Sequence, residues 1–252
     1  MTAFAVISDI HSNLEALTAA LTDIRARGVE RIICLGDIVG YGPDPLACLD
    51  LIRTNCQVTL CGNHDQAVLL EPNNFNVGAE RACFWTRQCL EEEPDPALRA
   101  ERWKFLGQLP SRYVDGKMLF VHGSPRRPVN EYIFPDDVFT NPTKMSHIFE
   151  RIDGVCFVGH THVPGLFTPE PDFYAPEEFD DKTRIEPGER RVFNVGSIGQ
   201  PRDRDPRACY VVVKDGTVEY VRLEYDLQAT VAKVAKVGSL DNYLGQRLVD
   251  GR

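Results

Sequence analysis

The chain has 252 residues, 43% of them hydrophobic, and a formal net charge of -9. That apolar fraction supports a sizeable core, while the longest apolar runs, such as 208–213, fall far short of the ~20 residues a membrane span needs. The acidic balance argues against a nucleic-acid partner, since phosphate binding relies on basic surface.

The N-terminus has no basic stretch ahead of an apolar run, and the eight cysteines are scattered with no CxxC pair. Both features point to a cytoplasmic protein with reduced thiols. Residues 3–8 read as a first strand. Ser12 or Asn13 can cap a helix whose buried stripe is Leu14, Leu17, Leu21 and Ile24, with Gly28 suited to its end. Residues 31–35 form a second apolar strand, and Pro45 opens a second helix at the position where its missing N–H costs nothing. Residues 57–61 make a third strand. This β-α-β-α-β order predicts a parallel sheet covered by helices.

Residues 66–110 read as a helical insertion, with helices over 79–92 and 96–106. Phe84, Trp85 and Trp103 sit there at the helical spacing of core residues. A hairpin turns at Asp115-Gly116 into a strand over 118–121. A helix over 143–152 and a strand over 155–158 follow. Residues 169–189, rich in proline and acid, read as an exposed loop whose charge keeps the surface soluble. Strands are expected at 191–195, 208–214 and 217–225, the last two joined by Asp215-Gly216, and a final helix from about Asp226. No linker or internal repeat divides residues 1–252, so a single domain is expected.

The metal-capable residues fall at strand ends. Asp9-Ile10-His11 follows the first strand, Gly36-Asp37 the second, and Gly62-Asn63-His64-Asp65 the third. His122-Gly123 follows the hairpin strand, and Gly159-His160-Thr161-His162 the strand at 155–158. Ligands of open α/β sheets bind beyond the carboxyl ends of the strands, so five segments deliver His, Asp or Asn to one rim. In extended chain, residues i and i+2 project to the same side, so Asp9 can face one centre with His11, and His160 with His162. Of the six histidines only His147, in a helix, lies outside these segments. Imidazole mixed with carboxylate and amide suits Mn, Fe, Zn, Co or Ni better than Ca or Mg, with manganese favoured. Asp37 is the best candidate for the anion that a two-metal site needs between its cations.

Asp-x-His, Gly-Asp, Gly-Asn-His-Asp, His-Gly and Gly-His-Thr-His, in that order over residues 3 to about 225, resemble the calcineurin-like metallophosphoesterase superfamily, in its small bacterial form. The resemblance implies a four-layer α/β/β/α sandwich. It also implies one metal on Asp9, His11, Asp37 and His162, and a second on Asp37, Asn63, His122 and His160. The implied reaction is phosphate-ester hydrolysis by in-line attack of a metal-bridging hydroxide, with His64 protonating the leaving group. The expected substrate is a phosphodiester or a small phosphorylated molecule.

The departures bear on substrate. Protein Ser/Thr phosphatases of the superfamily carry an Asp and an Arg where this chain has Gly40 and Tyr41. A further Arg is replaced by Cys61, and Asp65 stands where Glu is usual. A protein phosphatase is therefore the second reading. A non-catalytic interaction protein on the same fold is the third, opposed by the retained His64 and ligand set. Arg202, in a Gly- and Pro-rich loop, is a possible substrate contact, whereas Arg126-Arg127 reads as solvated charge.

Overall fold

The structure, a computed structural model, describes residues 3–252. The chain runs β1 (Phe4–Ile7), α1 (Leu14–Ala26), β2 (Arg31–Cys34), α2 (Pro45–Asn55), β3 (Val58–Thr59), α3 (Asn63–Leu69), α4 (Val77–Glu91) and α5 (Pro96–Gly107). It continues through β4 (Arg112–Asp115), β5 (Met118–Val121), α6 (Asp137–Thr140), α7 (Pro142–Phe149), β6 (Val155–Val158), β7 (Gly165–Thr168) and β8 (Asp172–Tyr174). A 3₁₀ turn at Pro176–Phe179 leads to β9 (Lys182–Arg184), β10 (Arg191–Asn194), β11 (Ala208–Lys214), β12 (Thr217–Leu223), α8 (Leu227–Lys236) and α9 (Asn242–Val249).

Two six-stranded sheets, β3-β2-β1-β11-β12-β9 and β4-β5-β6-β10-β7-β8, stack face to face. Both are mixed. The parallel sheet expected from the first sixty residues extends only through β1, β2 and β3, because β11 pairs antiparallel with β1. Period-2 alternation explains the layers. Phe4 and Val6 of β1 enter the core between the sheets with Phe120, Phe157 and Phe193, while Ala5 and Ile7 face the core under α1 and α2. The outer face of the second sheet is closed by Val138, Met145, Ile148 and Phe149 of α6 and α7. Helices outside, two sheets inside: this is the four-layer α/β/β/α sandwich.

Local signals placed most elements. Asn13 caps α1 by accepting from the Ala16 N–H at 3.1 Å, and Gly28 at φ +69° ends that helix. Several expectations need correction. The segment 169–189 is not only loop: β8 and β9 each add an edge strand, one to each sheet, and the ring of Phe173 in β8 packs 4.9 Å from that of Phe167. β7 was not anticipated either, nor was α3, and the expected terminal helix is a pair, α8 and α9. The third strand spans two residues rather than five. Phe84 is 41% exposed, under the Arg87 guanidinium 5.4 Å from its ring, and so is not core. His147 is exposed, and Arg126 pairs with Glu131 at 3.3 Å. All eight cysteines are free. Among the described residues, no helix is long and apolar enough to cross a membrane.

Candidate metal centre

The parallel runs β1-β2-β3 and β5-β6-β10 point their carboxyl ends at one rim. Beyond that rim the loops are sewn together by backbone hydrogen bonds. The N–H groups of Asp9, His11 and Ser12 donate to the carbonyls of Gly36, Asp37 and Ile38 at 2.9–3.0 Å, and the Gly159 N–H donates to His122 at 2.9 Å. Gly62 is obligatory, since a Cβ there would strike the backbone N and carboxylate of Asp37.

Asp9, His11, Asp37, His160 and His162 all have φ between +48° and +68°. Non-glycine residues pay strain for that conformation, and such residues cluster at functional sites. The left-handed turns also replace the extended-chain reasoning. Asp9 and His11 do converge, with Oδ1 and Nε2 3.8 Å apart. His160 and His162, however, face different partners: His160 Nδ1 lies 3.1 Å from His122 Nε2, and His162 Nε2 lies 3.2 Å from His11 Nε2.

Two clusters of the expected ligands result, and His64 forms a third, overlapping group with His11 and Asp37. In the first, His162 Nε2 lies 3.2 Å from Asp9 Oδ1, and His11 Nε2 lies 3.6 Å from Asp37 Oδ2. In the second, His122 Nε2 lies 3.4 Å from Asp37 Oδ2 and 3.2 Å from Asn63 Oδ1. One oxygen, Asp37 Oδ2, belongs to both. Its sister Oδ1 accepts from the His64 N–H at 2.8 Å, which fixes the carboxylate.

These donors fit a cation. His11 Nδ1 and His162 Nδ1 face the carbonyls of Val39 and Gln200, at 3.2 and 2.5 Å, and carbonyls only accept. Both rings therefore carry their proton on Nδ1, leaving two Nε2 lone pairs aimed at each other. Asp9 Oδ1 beside them is buried without a hydrogen-bond donor. Three acceptors with no proton to share repel unless a positive charge sits among them.

The electrostatics agree. Burial pushes the pKa of His11 down, aided by His64, and burial with His122 holds His160 at about 3. Burial and then Arg202 lower His162. Burial works against charge on Asp37, yet His122 and His64 overcome it and keep the carboxylate ionised. At His122 burial is likewise outweighed by Asp37, which raises the imidazole to about 9. The field there draws positive charge.

His64 is buried with its Nδ1 3.7 Å from Cys83 Sγ and its ring 4.5 Å from Tyr41 and 4.7 Å from Phe75. A Cβ on Gly40 would strike that Nδ1, so a side chain there would displace the His64 ring. Burial holds His64 at about 4 against the pull of Asp37. Arg202 lies nearby, its Cζ 5.8 Å from the Tyr41 centroid.

Sequence reasoning did not assign four supporting side chains. Asp65 accepts from the backbone N–H groups of Asp37, Ile38 and Gly62 at 2.8–3.0 Å, tying two ligand loops together. Asn194 donates to Gly159 and Thr161 at 2.9 and 2.7 Å. Tyr132 stacks on His160 with centroids 3.7 Å apart, and Tyr41 lies 4.8 Å from His11. Only Asp65, adjacent to Asn63-His64, carried a signal. A cavity of about 460 Å³ opens beside Asn63, His64 and His160, lined by Gln66, Asn74, Phe75 and Tyr132.

Residues 3–216 match the model of the calcineurin-like phosphoesterase superfamily domain. An uncharacterized protein of Methanocaldococcus jannaschii is 40% identical over 258 residues, 98% of each chain. The crystal structure of a metallophosphoesterase from Sphaerobacter thermophilus aligns at TM-score 0.81 and 37% identity, covering 100% of this chain and 99% of that one. A hypothetical protein from Pyrococcus horikoshii OT3 shares the fold at TM-score 0.76 and 21% identity, over 100% and 99% of the two chains. With the sandwich, the buried His/Asp clusters and this family match together, the chain belongs to the calcineurin-like phosphoesterase superfamily.

Proposed function

We propose that this protein is a cytoplasmic dinuclear-metal phosphoesterase that hydrolyses phosphodiesters or small phosphorylated molecules. The observation that carries the reading is the shared oxygen: Asp37 Oδ2 is 3.6 Å from His11 Nε2 and 3.4 Å from His122 Nε2. One divalent ion would be held by Asp9, His11, Asp37 and His162, the other by Asp37, Asn63, His122 and His160. Manganese is the favoured ion for this imidazole, carboxylate and amide mixture. When bound, two such ions would supply a water that ionises near neutral pH and would neutralise the phosphoryl oxygens.

The protein's own groups do the rest. Asp37 Oδ1, pinned by the His64 N–H, leaves Oδ2 free for its double duty. Tyr132 holds the His160 ring in place by stacking. His64 stands at the wall of the cavity, where it can give a proton to the departing oxygen. A phosphate bound beside it adds negative charge and so favours its protonated form. The cavity of about 460 Å³ suits a small leaving group.

The test is hydrolysis of p-nitrophenyl phosphate and bis(p-nitrophenyl) phosphate by the purified protein, before and after stripping with a chelator. The reading requires activity that is lost on stripping and returns with manganese. Activity that survives complete metal removal overturns it.

A further inference from the structure

Six of the fifteen residues lining the cavity beside His64 carry carboxamides. No lysine or arginine lines it, Arg202 included, and Glu71 is its one carboxylate. Two of the amides are engaged: Asn63 faces His122, and Asn76 caps α4 by accepting from the Ala79 N–H at 2.9 Å. The others are Gln66 of α3, Asn130, and Asn73 and Asn74 from the loop between α3 and α4. That loop is held in place. Arg87 of α4 donates to the Ala67, Val68 and Leu70 carbonyls at 2.6–3.1 Å, and Phe75 sits edge-on to His64 with ring centroids 4.7 Å apart. Asn74 has φ +64°, a conformation asparagine tolerates better than most side chains. Asn130 Nδ2 donates to Gln66 Oε1 at 3.5 Å, which links two of the amides. Tyr132, stacked with both His160 and Phe134, joins Phe75 as aromatic lining.

A cavity with amides and aromatic rings but no lysine or arginine selects a neutral, flat group with donors and acceptors along its edge. We propose that Gln66, Asn73, Asn74 and Asn130, with Phe75 and Tyr132, form a leaving-group subsite for the base of a nucleoside, so that nucleoside phosphate esters are the preferred substrates. This rests on the phosphoesterase reading. A carboxamide sets an acceptor beside two donors, the arrangement that pairs with base edges, and every base offers a π face to aromatic rings. A leaving group with its own phosphate or carboxylate would meet Glu71 and no compensating lysine or arginine. The side of the ester follows from His64, which lines the same cavity. The oxygen of a water bonds to phosphorus as the bond from phosphorus to the ribose oxygen breaks. The ribose oxygen takes the His64 proton and the water gives one up, so ester and water become phosphate and nucleoside.

The experiment uses the manganese-loaded protein, with adenosine, guanosine, cytidine, uridine and free ribose as probes. Calorimetry gives each Kd for wild type and for Gln66→Ala, Asn73→Ala and Asn74→Gly, the last because glycine keeps a positive φ accessible. At least one nucleoside should bind about tenfold or more tightly than ribose, and each variant should weaken it roughly three- to tenfold, the size of one neutral hydrogen bond. In parallel, kcat/KM for the matching nucleoside 5′-phosphate should exceed that for ribose 5-phosphate about tenfold, with the ratio narrowed in each variant. Ribose binding as tightly as every nucleoside would make the cavity a sugar subsite and overturn the proposal. So would a nucleoside Kd that none of the variants changes, or equal kcat/KM for the two phosphates. Amide-dependent nucleoside binding by a protein that hydrolyses neither these phosphates nor the p-nitrophenyl esters would sink the phosphoesterase reading and leave the base subsite standing.

Discussion

The Nε2 atoms of His11 and His162 face each other across 3.2 Å, each with its ring proton held on Nδ1 by a carbonyl. Two buried lone pairs at that distance repel. The fold nevertheless enforces the contact by holding both residues at positive φ, +48° and +63°. Such strain persists only where the surroundings over-determine it. Here the sewn loops between β1, β2 and β6 do so, and a cation between the rings would turn the contact favourable.

Asp37→Asn should lower bound metal and reduce activity at least a hundredfold, because the substitution weakens the one ligand the two clusters share. Elemental analysis alongside kcat checks this. Full activity with full metal content contradicts the bridging role.

His64→Ala should retain both metals and lose roughly 10²–10⁴ in kcat, the usual contribution of a proton donor. The loss should be smaller for nitrophenolate, which leaves without a proton, than for an alkyl phosphate. Loss of a metal instead would place His64 in the coordination shell.

Gly40→Ala adds a Cβ that meets His64 Nδ1 while demanding φ +89°. The His64 ring must move, so kcat should fall while manganese affinity changes little. A variant with unchanged kcat would mean that His64 needs no fixed position.

Metal binding should depend on pH through His122. Asp37, against the effect of burial, raises this imidazole to about 9, so it is protonated at neutral pH and a cation must displace the proton. Affinity at the His122–His160–Asp37 cluster should therefore weaken as pH falls below about 9, approaching tenfold per unit. The His11–His162 cluster, whose imidazoles burial keeps neutral, should bind nearly independently of pH down to the weakly acidic range. Calorimetry in buffers of different ionisation enthalpy counts the protons. Binding of two ions with no proton release contradicts this assignment.

The convergence of the proposed ligands was legible in the sequence because each follows an apolar strand and most lie beside glycine, so strand polarity alone brings them to one rim. The conformation that sorts His160 from His162 was not, since residue identity does not announce a left-handed turn at histidine. β9 carries no pattern for a different reason: a three-residue edge strand is held by backbone pairing, and Lys182-Thr183-Arg184 buries no stripe. Asn13 spans both cases. Its cap on α1 was predictable, but its amide also donates to the Gly199 carbonyl at 2.9 Å, and its Oδ1 accepts from Thr230 at 3.0 Å. Both partners lie far away in sequence. Asn13→Ala should therefore cost about 2–4 kcal/mol, a lost cap plus orphaned buried groups. Denaturant unfolding that shows less than about 1 kcal/mol would reduce it to a cap.

Anomalous diffraction at the manganese edge from crystals grown with that ion tests the dinuclear centre most directly. The account predicts two peaks ~3.5–4 Å apart, both bonded to Asp37 Oδ2, one contacting His11 and His162 and the other His122 and His160. A single peak, or peaks away from Asp37, would contradict it.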